Sequence, residues 1–83
     1  MRVRYFAWVR ERVGVAEEEF DPPADVASVA DLIAHLSSRD EGYAAAFAEP
    51  RIIRAALDRE HVEHATPLAG AREVAFFPPM TGG

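Results

Sequence analysis

The chain has 83 residues, of which 49% are hydrophobic and 28% charged, and its net charge is −5. These values indicate one small globular domain rather than a disordered chain. Because the chain has no cysteine, we expect no disulfide and no thiolate zinc site. It has no apolar run near the ~20 residues of a membrane span and no basic stripe, so we expect a cytoplasmic protein that binds neither a membrane nor nucleic acid.

The first half of the chain predicts two strands followed by a helix. Apolar and polar side chains alternate over residues 2–8, which is typical of a strand, and Phe6 and Trp8 share one of its faces. Residues 16–20 predict a second strand, whose run of glutamates is interpreted as solvated. A helix follows, because Ser28 is a good N-cap and the apolar residues after it recur at helical spacing: Val29, Leu32, Ile33 and Leu36.

The second half predicts a short helix and three strands. Residues 41–49 favour the helix, which Pro50 closes. Residues 52–57 and 61–64 predict strands on either side of a turn, and residues 73–77 predict a strand that is apolar on both faces. His61 and His64 would lie on opposite faces of a strand, so their spacing does not predict a metal site.

This order of elements predicts an α+β fold of the ubiquitin-like β-grasp type. A mixed sheet of about five strands would pack on one main helix, with the first and last strands parallel at its centre. Phe6, Trp8 and one side of the last strand would then lie on the sheet face away from the helix. A small domain with an aromatic open face usually has a protein partner, so we expect a partner interface there, formed by Phe6, Trp8, Phe76 and Phe77.

The last six residues predict an extended tail (78–83) that follows a domain over residues 1–77. Pro78 and Pro79 cannot donate to a sheet and end the last strand. The tail continues through Met80 and Thr81 to Gly82 and Gly83, and at about 3.3 Å per residue it spans roughly 20 Å. Two glycines without Cβ atoms fit a narrow channel. The terminal carboxylate could be activated as an acyl-adenylate and then carry sulfur as a thiocarboxylate, so Gly83 is the candidate reactive residue.

Both ends of the chain carry a resemblance to a known family. VRYFAWVRERVG and PLAGAREVAFFPPMTGG are similar to the small, sulfur-carrier subunits of molybdopterin synthases, and FFPPxTGG is the most specific part. The resemblance implies a β-grasp fold and no bound cofactor. It implies that a ubiquitin-activating-like adenylyltransferase uses ATP to adenylate Gly83, which then becomes a thiocarboxylate. The tail, led by residues 76–79, would enter a large catalytic subunit of a heterotetramer and donate sulfur to cyclic pyranopterin monophosphate.

Other functions share parts of this pattern. A ubiquitin-like modifier that forms isopeptide bonds with lysines uses the same adenylate. A plain β-grasp interaction domain would bind through its aromatic face and leave the tail inert. A sulfur carrier for thiazole synthesis has the same end chemistry, but this chain is longer and lacks that resemblance. The sequence favours the synthase subunit because the FFPP segment leads into the Gly-Gly end.

Overall fold

Five strands and four helices follow one another in the computed structural model, which describes residues 1–79. The strands are β1 (Arg2–Tyr5), β2 (Glu17–Glu19), β3 (Arg54–Leu57), β4 (Glu60–Val62) and β5 (Glu73–Phe77). The helices are α1 (Ala7–Val13), α2 (Val29–Ser37), α3 (Glu41–Ala46) and a 3₁₀ helix (Pro50–Ile52). The predictions for Met80, Thr81, Gly82 and Gly83 lie outside the described residues.

The strands form one mixed sheet in the order β2-β1-β5-β3-β4. The central pair, β1 and β5, is parallel, whereas the other neighbouring pairs are antiparallel. This arrangement confirms the predicted α+β fold with parallel first and last strands. None of the helices in residues 1–79 is long and apolar enough to cross a membrane.

The hydrophobic core lies between the sheet and α2, as the sequence predicts. Ser28 caps α2 in a capping box, because its hydroxyl accepts from the Asp31 amide while the Asp31 carboxylate accepts from the Ser28 amide. The caps satisfy backbone donors that the first helical turn leaves unpaired. The apolar stripe of α2 is buried in full: Val29, Leu32, Ile33 and Leu36.

The prediction of one strand over residues 2–8 is wrong beyond Tyr5. The backbone enters the left-handed region at Ala7, with φ 52°, and continues as α1 until Gly14 ends the helix at φ 98°. Helix-forming Ala, Arg and Glu residues fill this segment, and Val9 and Val13 stand four residues apart, which suits a helix. The alternation therefore describes only β1 and the extended Phe6 that follows it.

The remaining differences concern the boundaries of elements. α3 ends at Ala46, and Pro50 begins a 3₁₀ helix instead of only closing the helix before it. Proline suits this position because its fixed φ is helical and a first-turn N–H needs no partner. The following strand therefore starts at Arg54 rather than Ile52, and β4 occupies residues 60–62 rather than 61–64.

Candidate functional site

The segment before the predicted tail is the central strand of the sheet. β5 pairs with β1 on one side and with β3 on the other, with Phe77 opposite Arg54. The Phe6 amide donates to the Phe76 carbonyl at 3.1 Å and extends the central ladder beyond β1. Pro78 and Pro79 come next and are half-buried. The described part of the chain thus ends beside the central strand, at the middle of one end of the sheet.

Side chains of β5 alternate between the core and the open face of the sheet. Val74 and Phe76 are wholly buried, whereas Ala75 and Phe77 are half-buried on the opposite face. The Phe76 ring lies 5.2 Å from the ring of Phe47 in an edge-on arrangement, and it stacks near Tyr5. Phe76 therefore holds the tail-bearing strand to the core, and Phe77 is the aromatic side chain presented at the exit.

An apolar surface, here called the tail-exit patch, surrounds Phe77. The His61 ring meets the Phe77 ring edge-on at 5.2 Å. Phe6 is exposed, and the guanidinium of Arg4 lies 5.0 Å from its ring centroid. The register places small side chains between these rings. The patch consists of Phe6, Ala56, His61, Ala75 and Phe77.

A ladder of ion pairs covers the part of the open face next to β2. Arg2 lies 3.4 Å from both Glu17 and Glu19, and Arg4 lies 3.8 Å from Glu73 and 3.9 Å from Glu17. Such exposed pairs contribute little to stability, typically about 0–1 kcal/mol each. They do keep this half of the face hydrated, so the apolar surface is confined to the end where the chain leaves the domain.

Two of the four residues predicted for the interface lie elsewhere. Phe76, predicted as an interface residue, instead lies in the core with a side chain that is 0% exposed. The placement of Trp8 on a strand is also wrong, since Trp8 belongs to α1, packs against the core and lies under the Arg12 guanidinium at 4.3 Å. Phe6 and Phe77 do lie on the open face, and their role in binding stays a prediction.

A polar cluster beneath the β1–β2 edge was not predicted from the sequence. The Glu18 carboxylate accepts hydrogen bonds from Tyr5 at 2.8 Å, Tyr43 at 2.6 Å and Arg39 at 2.7 Å. Burial alone would raise the pKa of Glu18, but these three donors outweigh it and lower the pKa below its ordinary 4.5. Burial, aided by the Glu18 hydrogen bond, raises the pKa of Tyr5, so this phenol stays a donor. The alternation in β2, which puts Glu18 on the same side as buried Phe20, is the signal that could have found it.

We expect Glu18→Gln to lower the free energy of unfolding at pH 7 by about 1–3 kcal/mol, because an amide cannot accept all three bonds as a carboxylate does. The pKa of Glu18 is lowered by folding, so its contribution is present above the unfolded value near 4.5 and is lost as the pH falls through the folded value. Urea titrations from pH 7 to pH 3 should show a shallower pH dependence in the variant. Glu19→Gln, at an exposed neighbour, serves as control, and equal pH dependence in Glu18→Gln and wild type would contradict the role.

A match to a protein-family model shows how this chain is related to known proteins. The ThiS family model matches residues 3–83. The chain belongs to the ThiS family. One relative, from Escherichia coli K12, is named molybdopterin synthase sulfur carrier subunit and is 37% identical over 83 residues, which cover 100% of this chain and 99% of that protein. The resemblance in the sequence is thereby confirmed.

Solved structures agree with the fold of this ThiS-family chain. A molybdopterin converting factor, subunit 1, from Pyrococcus furiosus superposes with a TM-score of 0.73, at 31% identity and with 94% of each chain covered. Small archaeal modifier protein 1 from Haloferax volcanii superposes with a TM-score of 0.69, at 25% identity and with 95% of each chain covered. The ubiquitin-like β-grasp fold is therefore confirmed.

Proposed function

We propose that this protein is the sulfur-carrier subunit of a molybdopterin synthase and that the carboxyl group of Gly83 carries the transferred sulfur. The observation that carries the proposal is the similarity to the E. coli sulfur carrier subunit over 100% of the chain. The geometry supports it, because the central strand ends in two prolines beside an apolar patch. A partner that covers this patch would face the start of the tail.

The chemistry follows from the poor reactivity of a carboxylate as an acyl donor. An activating enzyme of the ubiquitin-activating type would let the Gly83 carboxylate attack the α-phosphorus of ATP, which forms an acyl-adenylate and releases pyrophosphate. A sulfur nucleophile then displaces AMP and leaves a thiocarboxylate. The chain has no cysteine that could hold sulfur instead. Its own part in the reaction is to bear the activated group, and ATP is consumed at the enzyme.

The folded body would act as the docking element. Phe6 and Phe77 of the tail-exit patch would pack on the large subunit, while Pro78 and Pro79 start the tail toward its cavity. If extended, the six residues from Pro78 to Gly83 would span roughly 20 Å. The large subunit would supply the groups that bind cyclic pyranopterin monophosphate, and this pterin would accept the sulfur. The large subunit would thus catalyse the transfer, and this chain would deliver the sulfur.

Intact-mass analysis tests the proposal directly. The chain is incubated with ATP, a candidate adenylyltransferase and a sulfur source, and we expect a mass gain equal to the replacement of one oxygen by sulfur. Fragmentation should place that gain in the last peptide. Omission of ATP is the control and should leave the mass unchanged. A gain located elsewhere, or the absence of any gain with an enzyme that activates the E. coli relative, would contradict the proposal.

A second candidate function is conjugation to other proteins, which the similarity to small archaeal modifier protein 1 favours. The same incubation with lysine-bearing proteins separates the two functions, because only a modifier forms isopeptide conjugates. The chain has no lysine, since all nine of its basic residues other than histidine are arginine. The other amine of the described chain, the Met1 ammonium group, is already engaged in a hydrogen bond, which it donates to the Phe20 carbonyl at 2.8 Å. Any conjugates should therefore join other proteins and not build chains of this one.

A further inference from the structure

A second surface feature, here called the arginine cleft, lies next to the tail exit. It has a volume of about 490 Å³ and lies between the start of β3 and the end of β4. Most of the side chains named here that line the cleft are polar or charged. They are Arg51, Arg54, His61, Glu63 and His64, with Ile53 beneath them.

The charge of the cleft differs from that of the whole chain. The chain carries −5 overall, yet two arginines and one carboxylate line the cleft. Arg51 and Arg54 are both exposed, and neither forms an ion pair within residues 1–79. Arg2, Arg4 and Arg39 lie against glutamates, whereas the other arginines within residues 1–79 form no ion pair. The guanidinium groups of the cleft are thus available to an external acceptor.

The cleft and the tail-exit patch are continuous. His61 belongs to both, since its ring contacts Phe77 and also lines the cleft. Arg54 stands directly opposite Phe77 in the β3–β5 ladder. A stable protein interface uses about 20–30 residues on each side, far more than the five of the patch. A protein that covers the patch to receive the tail therefore also covers the neighbouring cleft.

We infer that the arginine cleft binds carboxylate side chains of the protein that receives the tail, so that an acidic segment borders the mouth of that protein's cavity. This inference rests on the proposed function. Arginine presents a rigid fork of N–H donors that matches a carboxylate. Covering Arg51 and Arg54 without an acceptor would leave two desolvated charges unpaired, which disfavours association. An acidic segment removes that penalty and orients the domain so that the tail faces the cavity.

The experiment is a comparison of two charge-reversed proteins in binding to the molybdopterin synthase large subunit. The first carries Arg51→Glu and Arg54→Glu in the cleft. The matched control carries Arg59→Glu and Arg72→Glu, two arginines at the other end of β5 that change the net charge equally. We expect the cleft variant to bind at least about tenfold more weakly at low salt and the control to stay within about threefold of wild type. The difference should shrink in high salt as charges are screened.

Each outcome decides the inference. Equal affinities for the cleft variant and the control, or a loss that does not depend on salt, would overturn it. If circular dichroism shows that the glutamate variant is unfolded, Arg51→Gln with Arg54→Gln replaces it, and we expect a smaller, salt-dependent loss of affinity. Tighter binding of the cleft variant would indicate a basic rim and reverse the assignment. If wild-type protein itself fails to bind the large subunit, the proposed function fails, and the inference fails with it.

Discussion

One alanine added after Gly83 is expected to abolish sulfur transfer while binding to the large subunit stays within about threefold of wild type. The extension converts the reactive carboxyl group into an amide, which cannot attack ATP and cannot become a thiocarboxylate. The extension leaves β5 and the tail-exit patch beside it unaltered. The added residue therefore blocks the reacting carboxyl group and leaves the surface that binds the large subunit unchanged.

Two measurements on the extended protein are needed. Molybdopterin formation in a defined reconstitution reports the transfer, and isothermal titration against the large subunit reports binding. A cleavable C-terminal fusion provides the control, because hydrolytic release at Gly83 restores the free carboxyl group and should restore activity. Molybdopterin formation by the extended protein, with its mass shown to be untrimmed, would contradict the assignment of Gly83.

The sequence predicted well those elements whose pattern runs over enough residues. The apolar stripe and Ser28 cap defined α2, and five residues with two apolar faces defined β5. It failed at α1, because the alternation in β1 covers four residues and nothing about an alanine signals the positive φ of Ala7. Local patterns carry no information on such a change of direction, which tertiary packing imposes.

The sequence predicted only part of the candidate site. Phe6 and Phe77 reach the open face because both continue the alternation of the central strands. The arginine cleft escaped prediction since it joins the 3₁₀ helix to β4, and neither its residues nor their closeness follow from a motif. Glu18 was interpreted as part of a solvated run, although its strand parity matches that of buried Phe20. The sequence holds the alternation that places Phe6, Phe77 and Glu18. Only the long-range pairing of the strands brings the residues of the cleft together.

Neighbouring phenylalanines at the end of β5 should give opposite results when each is replaced by alanine. Phe76 is 0% exposed and packs on Phe47, so Phe76→Ala should cost about 3–5 kcal/mol of stability. A domain of this size holds only about 4–12 kcal/mol. At about 4–8 °C per kcal/mol, the melting temperature should fall by more than 10 °C. The main effect of Phe76→Ala is therefore on folding.

Phe77→Ala should act on binding instead. Phe77 is half-buried, and its ring packs on exposed His61, so its loss should change stability by about 1 kcal/mol or less. A central aromatic of an interface contributes about 2 kcal/mol or more, which corresponds to an affinity about thirtyfold weaker. Thermal melts and titration against the large subunit, run on both variants, separate the two roles. A Phe76→Ala protein that melts like wild type but binds weakly would return Phe76 to the interface, and unchanged affinity of Phe77→Ala would remove Phe77 from it.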